Sequence, residues 1–360
     1  MLKPDSNIQR FIISSPAEFR GEYEDDNVNI AIQFERNTVE KFYRNQKFYV
    51  VSMCTKDTDK YIRDLSAVRE YSNVVCMCMS VLYGKAVYNH GFIELYGCFR
   101  QSDMNIPRIT NYDKFIYSNK SRVDLNIPLE LDKIGLISGL LNINHMERSY
   151  TAFYNAARFY WRALHNMENE PELAFIDLVS CGEALSGGFD FKTDDLISHD
   201  AELCKIINVI KNGNINEKDK EKICLFMRKR LYQVKRKYVL TISNSLNDYF
   251  FSNNETSCDT TMFSISSENI DKYIKRTYDL RSKYVHEGLY LGDKIKELTN
   301  YDNEIAITLN DDKNMINTLT LHGLERIMRY CLLVYIHNYL GINIDDRLNV
   351  DNDVLTIASK

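Results

Sequence analysis

The hydrophobic period of this chain changes near residue 148. Upstream, short β-branched and aromatic runs alternate with polar turns: FIIS (11–14), NIAIQF (29–34), FYVVSMC (48–54), VVCMCMSVLY (74–83) and FIELYGCF (92–99). Runs of this kind read as strands. Charged stretches such as Thr55–Arg69 fit short helices or loops between them. Gln101–Pro128, polar with two prolines, reads as irregular. Downstream, Tyr150, Phe153, Tyr154, Ala157, Trp161 and Leu164 recur at helical spacing, with Ser149 as the expected cap. Glu172–Ser186 is apolar nearly all round, which predicts a buried helix. Pro171 suits its first turn and Gly187-Gly188 its end. Further helices are expected at about Ala201–Lys211, Glu217–Phe251, Ser267–Glu287 and Thr320–Leu340, with a strand at Glu304–Leu309.

The chain therefore reads as α+β. A β-rich N-terminal domain spans 1–145, an all-α helical domain spans 146–345, and an acidic tail over 346–360 is expected to fray. Two domains also fit the length, since 360 residues exceeds the roughly 250–300 at which one core stops growing. With 44% hydrophobic residues the chain can bury real cores, which excludes a disordered protein. A net charge of −5 speaks against wholesale coating of nucleic acid but leaves room for a local basic patch. Nine cysteines include no CxxC pair and no zinc-finger spacing. Cys76 and Cys78, two apart on an expected strand, would share a face. The cysteines read as buried reduced thiols of a cytosolic protein. The N-terminal MLKPDSNIQRF has no apolar signal core, and no stretch approaches the roughly 18 apolar residues of a membrane span. The expectation is a soluble, cytoplasmic protein.

Gly-rich phosphate loops, GxSxG and HExxH are all missing from the sequence. One segment carries usable chemistry: Tyr278-Asp279-Leu280-Arg281-Ser282-Lys283-Tyr284-Val285-His286-Glu287-Gly288. It sets an arginine and a histidine five residues apart at a helix end. Five steps of 100° leave them about 140° apart around the axis, so they do not stack. They can still converge on one phosphate if the helix end frays or a second chain completes the pocket. Arginine offers a planar fork of donors to phosphate. Histidine titrates near neutrality and can move a proton. Together they suffice for metal-free RNA cleavage through a cyclic phosphate. The alternative is a surface arginine with a structural histidine at a helix C-terminus, where the dipole favours positive charge. Spacing alone leaves both open.

In context, the segment resembles the HEPN superfamily and, within it, the Apea-like group. The defining feature there is an Rx4–6H motif on a late helix of a helical bundle, which Arg281, Ser282 and His286 match. AARFYWRALHNMENEPELAFIDLVSCGEAL (156–185) is similar to the first two helices of that group, with Glu183 near the end of the second. HGLERIMRYCLLVYIHNYLG (322–341) is similar to the closing helix. The resemblance covers roughly 145–345 and implies an all-α HEPN bundle. It implies a homodimer whose two Arg281/His286 motifs face each other, and a metal-independent endoribonuclease that needs no cofactor. It further implies an anti-phage defence or toxin effector. Arg281 and His286 would be catalytic, with Ser282 accessory where many members carry Asn, Asp or His. In one toxin branch a tyrosine follows the histidine by two, where this chain has Gly288. The alternative is a non-catalytic HEPN module that binds RNA or nucleotide, or dimerises, under a partner protein's control.

Several residues could support such a site. Lys218–Lys237 holds nine Lys/Arg, including Arg228 and Arg230, against Asp219 and Glu221. That stretch could hold an RNA backbone or be a solvated helix face. Lys275, Arg276 and Lys283 extend it on the motif helix. Tyr273, Tyr278 and Tyr284 could stack on unpaired bases or pack in a core. Glu183 and Asp177 lie in an apolar helix and need partners. Arg281 suits Glu183 as an accessory pair, and Arg158 or Arg162 are alternatives for either carboxylate. The N-terminal domain has no motif that identifies a ligand, and a sensing, regulatory or partner-binding role is expected of it.

Overall fold

The computed structural model describes residues 8–25, 30–34, 47–54, 65–95, 98–99, 122–141, 147–192, 196, 201–230, 234–256, 261–297, 302–309, 315–350 and 354–357. The N-terminal strands are β1 (Ile8–Ser15), β2 (Phe19–Arg20), β3 (Tyr23–Asp25), β4 (Ile30–Phe34) and β5 (Lys47–Cys54). After helix α1 (Leu65–Tyr83) come β6 (Tyr88–Leu95), β7 (Cys98–Phe99) and β8 (Leu129–Glu130). Six of them form an antiparallel sheet in the order β3-β4-β5-β1-β6-β7. β2 and β8 pair in parallel. Central β1 is covered on both faces, with Phe11 and Ile13 fully buried and Ile12 nearly so. That is why its sequence reads as a continuous apolar run rather than an alternation.

The run VVCMCMSVLY does not form a strand. Residues 74–83 are the second half of α1. From Val74 to Tyr83 every residue of α1 is buried, packed against β6, the following 3-10 helix Leu131–Leu141 and the helical region. A helix covered on all sides shows no polar face, so its 3.6 period is invisible and its β-branched and aromatic content suggests a strand. Cys76 and Cys78 therefore point about 200° apart rather than to one face. Both are free thiols, as are Cys181, Cys224 and Cys331. Burial pushes the Cys78 and Cys331 thiols up to about 12, out of the range of reactive thiolates.

The remainder is mostly helical: α2 (Arg148–Asn166), α3 (Pro171–Ser186), α4 (Ala201–Asn212), α5 (Glu217–Arg230), α6 (Val234–Ser245), α7 (Asp248–Ser252), α8 (Ile270–Glu287) and α9 (Leu321–Tyr339). Strand β9 (Phe189–Asp190) follows α3, and β10 (Ile305–Leu309) and β11 (Met315–Leu319) form a hairpin before α9. Pro171 stands at the start of α3 and Gly187 ends it. Ser149 does not cap α2. Glu147 holds that position and Ser149 is buried inside the first turn. The stretch 217–251 is not one helix but α5, α6 and α7, with Asn247 capping α7 by accepting from the Phe250 amide. α2 and α3 form a hairpin, and α3 also packs on α6, α8 and α9.

The tail does not simply fray. Asp345 caps the turn Asp346–Leu348, Leu348 and Leu355 are buried, and β12 (Thr356–Ile357) pairs with β9. Its backbone is held by side chains of the helical region. The Asn247 amide donates to the carbonyls of Arg347 and Asn349 at 2.9 and 3.0 Å, and Asn338 donates to Leu348 at 2.8 Å.

One large hydrophobic core runs through the described residues, from Phe11 to Leu355, with a small second cluster around Leu203 and Ile207 of α4. A buried ionic seam joins the β-rich region to α9. α1 ends at Gly84, whose φ of +59° suits glycine. Its last carbonyls would be orphaned. Arg329 donates to those of Val81 and Leu82 at 3.0 and 2.6 Å, and Arg122 to that of Gly84 at 3.1 Å. The other donors of Arg329 reach both oxygens of Asp124 (2.8 and 2.7 Å), and those of Arg122 reach Glu325 (2.7 Å) and Glu255 (2.9 Å). Arg326 pairs with Glu304 at 2.6 Å. Burying these charges is affordable only because each is paired and hydrogen-bonded.

Candidate functional site

Arg281, Ser282 and His286 lie on the last turns of α8. The helix stays regular to Glu287, where Gly288 adopts φ +67°. The amide of Gly288 donates to the Tyr284 carbonyl, the bond of an αL cap, and that of Leu289 donates to Lys283, which closes the end. The end is thus pinned, and Arg281 and His286 keep their separation around the axis within one chain. Arg281 faces inward onto α3 and is half-buried, whereas His286 is exposed. Ser282 is half-buried beside them.

The arginine meets Glu183. Arg281 Nη2 donates to Glu183 Oε2 at 3.2 Å across 98 residues of sequence. The Arg281 guanidinium carbon also lies 6.0 Å from the centre of the Tyr278 ring, at the outer reach of a cation–π contact. Burial, then the neighbouring Glu183 carboxylate, push the Tyr278 phenol up. Behind it stands fully buried Tyr238 of α6, its ring 5.5 Å from that of Tyr278. Glycine at 182 is what lets Tyr238 approach α3, since a Cβ there would sit 2.5 Å from its ring. Glu183 occupies one of the five donors of Arg281, and Nε is buried with no hydrogen-bond partner among the described residues. The other carboxylate, Asp177, is buried and held by both Nε (2.7 Å) and Nη2 of Arg162.

The cations flanking the motif are placed unequally. Lys283 is exposed and Lys275 half-buried on α8. Arg276 reaches away from solvent, with Nη1 donating to the Asn317 carbonyl of β11 at 2.7 Å. Tyr273 is a core residue, and Tyr284 is half-buried against the core. The described residues of the basic stretch lie on α5 and α6. Its α6 part reaches the motif helix, where Lys235 pairs with Asp279 at 2.5 Å. Arg228 and Arg230 end α5, and their side chains lie outside the described ones.

The arrangement places a partly shielded guanidinium with donors to spare and an exposed imidazole on one helix end, next to lysines. Such a set can bind a phosphodiester and move a proton. The sequence does not reveal Tyr238 and Gly182 as parts of this site. A glycine inside an apolar helix is the one signal that could have pointed to a close approach there.

Compared with known proteins, the chain matches no family model, no curated protein and no solved structure. Among the described residues, no helix is long and apolar enough to cross a membrane.

Proposed function

We propose that residues 146–345 form a HEPN-type domain and that the chain is a metal-independent endoribonuclease acting as a homodimer in anti-phage defence or as a toxin. The observation that carries this reading is the Arg281–Glu183 pair. It joins α3 and α8, two of the helices on which the resemblance rests, and holds the arginine near the α8 end.

In the reaction, His286 takes the proton of an RNA 2′-hydroxyl. The 2′-oxygen bonds to the adjacent phosphorus, and the bond from phosphorus to the 5′-oxygen breaks. The leaving oxygen takes a proton from the histidine of a second copy. Arg281 binds the phosphorane oxygens as charge builds on them. The products are a 2′,3′-cyclic phosphate and a 5′-hydroxyl. Because one α8 keeps Arg281 and His286 on different sides, a second copy must supply the opposing pair. Lys283 and Lys275 would hold the backbone, with Tyr284 beside them on the same helix.

A second reading is a non-catalytic module that binds RNA or nucleotide, or dimerises, under a partner's control. It is favoured by the same ion pair, because Glu183 already engages the guanidinium. Expression in cells separates the two. Wild type should arrest growth and fragment total RNA, and His286→Ala should do neither while accumulating to the same level. RNA that stays intact with wild type at full expression supports the second reading.

A further inference from the structure

We propose that the cleft between the β-rich region and α9 is a binding site for a nucleoside monophosphate, independent of the Arg281/His286 site. The cleft has a volume of about 300 Å³, at the lower end of small-ligand pockets. Its walls come from both sides of residue 145: the segment 122–126 and the 3-10 helix on one side, α7, α9 and the turn 344–348 on the other.

Charge selects the ligand class. Five cationic side chains line the cleft against three carboxylates. Each carboxylate is taken: Asp124 by Arg329, Glu255 by Arg122 and Asp345 by Arg347. Lys133 is the exception among the cations. It is half-buried on the 3-10 helix, and no carboxylate partner for it is found among the described residues. An anion entering the cleft meets a lysine ready to bind it and carboxylates already neutralised.

The rest of the lining suits a planar, hydrogen-bonding ring. Tyr249 and Tyr330 line it, with the Arg347 guanidinium 4.8 Å from the centre of the Tyr249 ring. The Asn253 amide donates to the Tyr249 carbonyl, and among the described residues no donor engages its Oδ1, which can accept from a base edge. Asn126 stands exposed at the rim. One phosphate at Lys133 and one base against the tyrosine wall match both the volume and the two chemistries. The rigidity of the wall comes from the seam, whose paired arginines need no rearrangement on binding. A ligand here would touch the β-rich region and α9 at once.

The test is calorimetric titration of the full-length protein with 5′-AMP, 5′-GMP, 5′-CMP and 5′-UMP, with adenosine and inorganic phosphate as controls. At least one monophosphate should bind at one per chain, and adenosine at least tenfold more weakly. Lys133→Ala and Tyr249→Ala should each weaken binding tenfold or more while melting within a few degrees of wild type. His286→Ala should bind normally. Three results would overturn the proposal: binding by none of the four, binding unchanged in Lys133→Ala, or binding lost in His286→Ala. The last would place the nucleotide at the α8 site.

Discussion

Replacing Gly182 by alanine tests the packing beneath Arg281 with two opposing magnitudes. A Cβ at 182 would lie 2.5 Å from Cε2 and 2.9 Å from Cδ2 of Tyr238, and 3.3 Å from Sδ of Met328. Both neighbours are fully buried, so the ring has no free volume into which to retreat. Overpacking of this kind costs about 1–3 kcal/mol. Alanine inside a helix returns about 1 kcal/mol relative to glycine. The clash is with a rigid ring well inside contact distance, so the cost wins, by up to about 2 kcal/mol. Urea denaturation should show a lower midpoint at unchanged slope. The control is Gly135→Ala, where the nearest atom is Tyr23 Cε2 at an ordinary 3.6 Å; its midpoint should hold or rise. Since Tyr238 backs Tyr278, RNA cleavage by Gly182→Ala should fall even below its unfolding midpoint. Equal or greater stability of Gly182→Ala would refute the packing argument.

Further outcomes follow from the same contacts. Arg329→Met strands Asp124 and two α1 carbonyls in a buried seam and should cost about 3–5 kcal/mol by urea titration; a loss under 1 kcal/mol would show the seam is not holding the two regions. Glu183→Gln removes a half-buried ion pair of about 1 kcal/mol, so kcat on RNA should drop about three- to tenfold with KM unchanged. A change in KM alone would make Glu183 a binding rather than a positioning residue. Burial holds His90 and His165 at about 4. Between about pH 6.5 and 4 the unfolded chain takes up protons there and the folded chain does not. Stability should therefore fall on acidification, by up to about 1.4 kcal/mol per pH unit for each histidine. His165→Phe should flatten that slope, and an identical slope would remove His165 from the account.

The sequence carried the periodic parts of this fold well. β1, β4 and β5, the α2–α3 hairpin with Pro171 and Gly187, and α8 closed by Gly288 all lie close to where their patterns put them. It failed where burial erased the pattern. α1 has no polar face over 74–83, so its composition outweighed its period. The seam was hidden for another reason. Arg122 and Asp124 sit in a polar stretch that reads as irregular, and their partners are about 200 residues away on α9. Glu325, Arg326 and Arg329 on an otherwise apolar helix are the local clue, since buried charges require partners. At the candidate site, the pairing of Glu183 with Arg281 was legible from one carboxylate in an apolar helix. The commitment of Arg276 to β11 and of Tyr273 to the core was not, because helical spacing cannot say which neighbour a side chain meets.

The central claim is tested most directly by cutting a defined RNA with purified protein in EDTA and reading the new ends. The account predicts 2′,3′-cyclic phosphate and 5′-hydroxyl termini from wild type. Arg281→Ala and His286→Ala should each be at least a hundredfold slower while retaining wild-type helical content. Cleavage that survives both substitutions, or that EDTA abolishes, would contradict it.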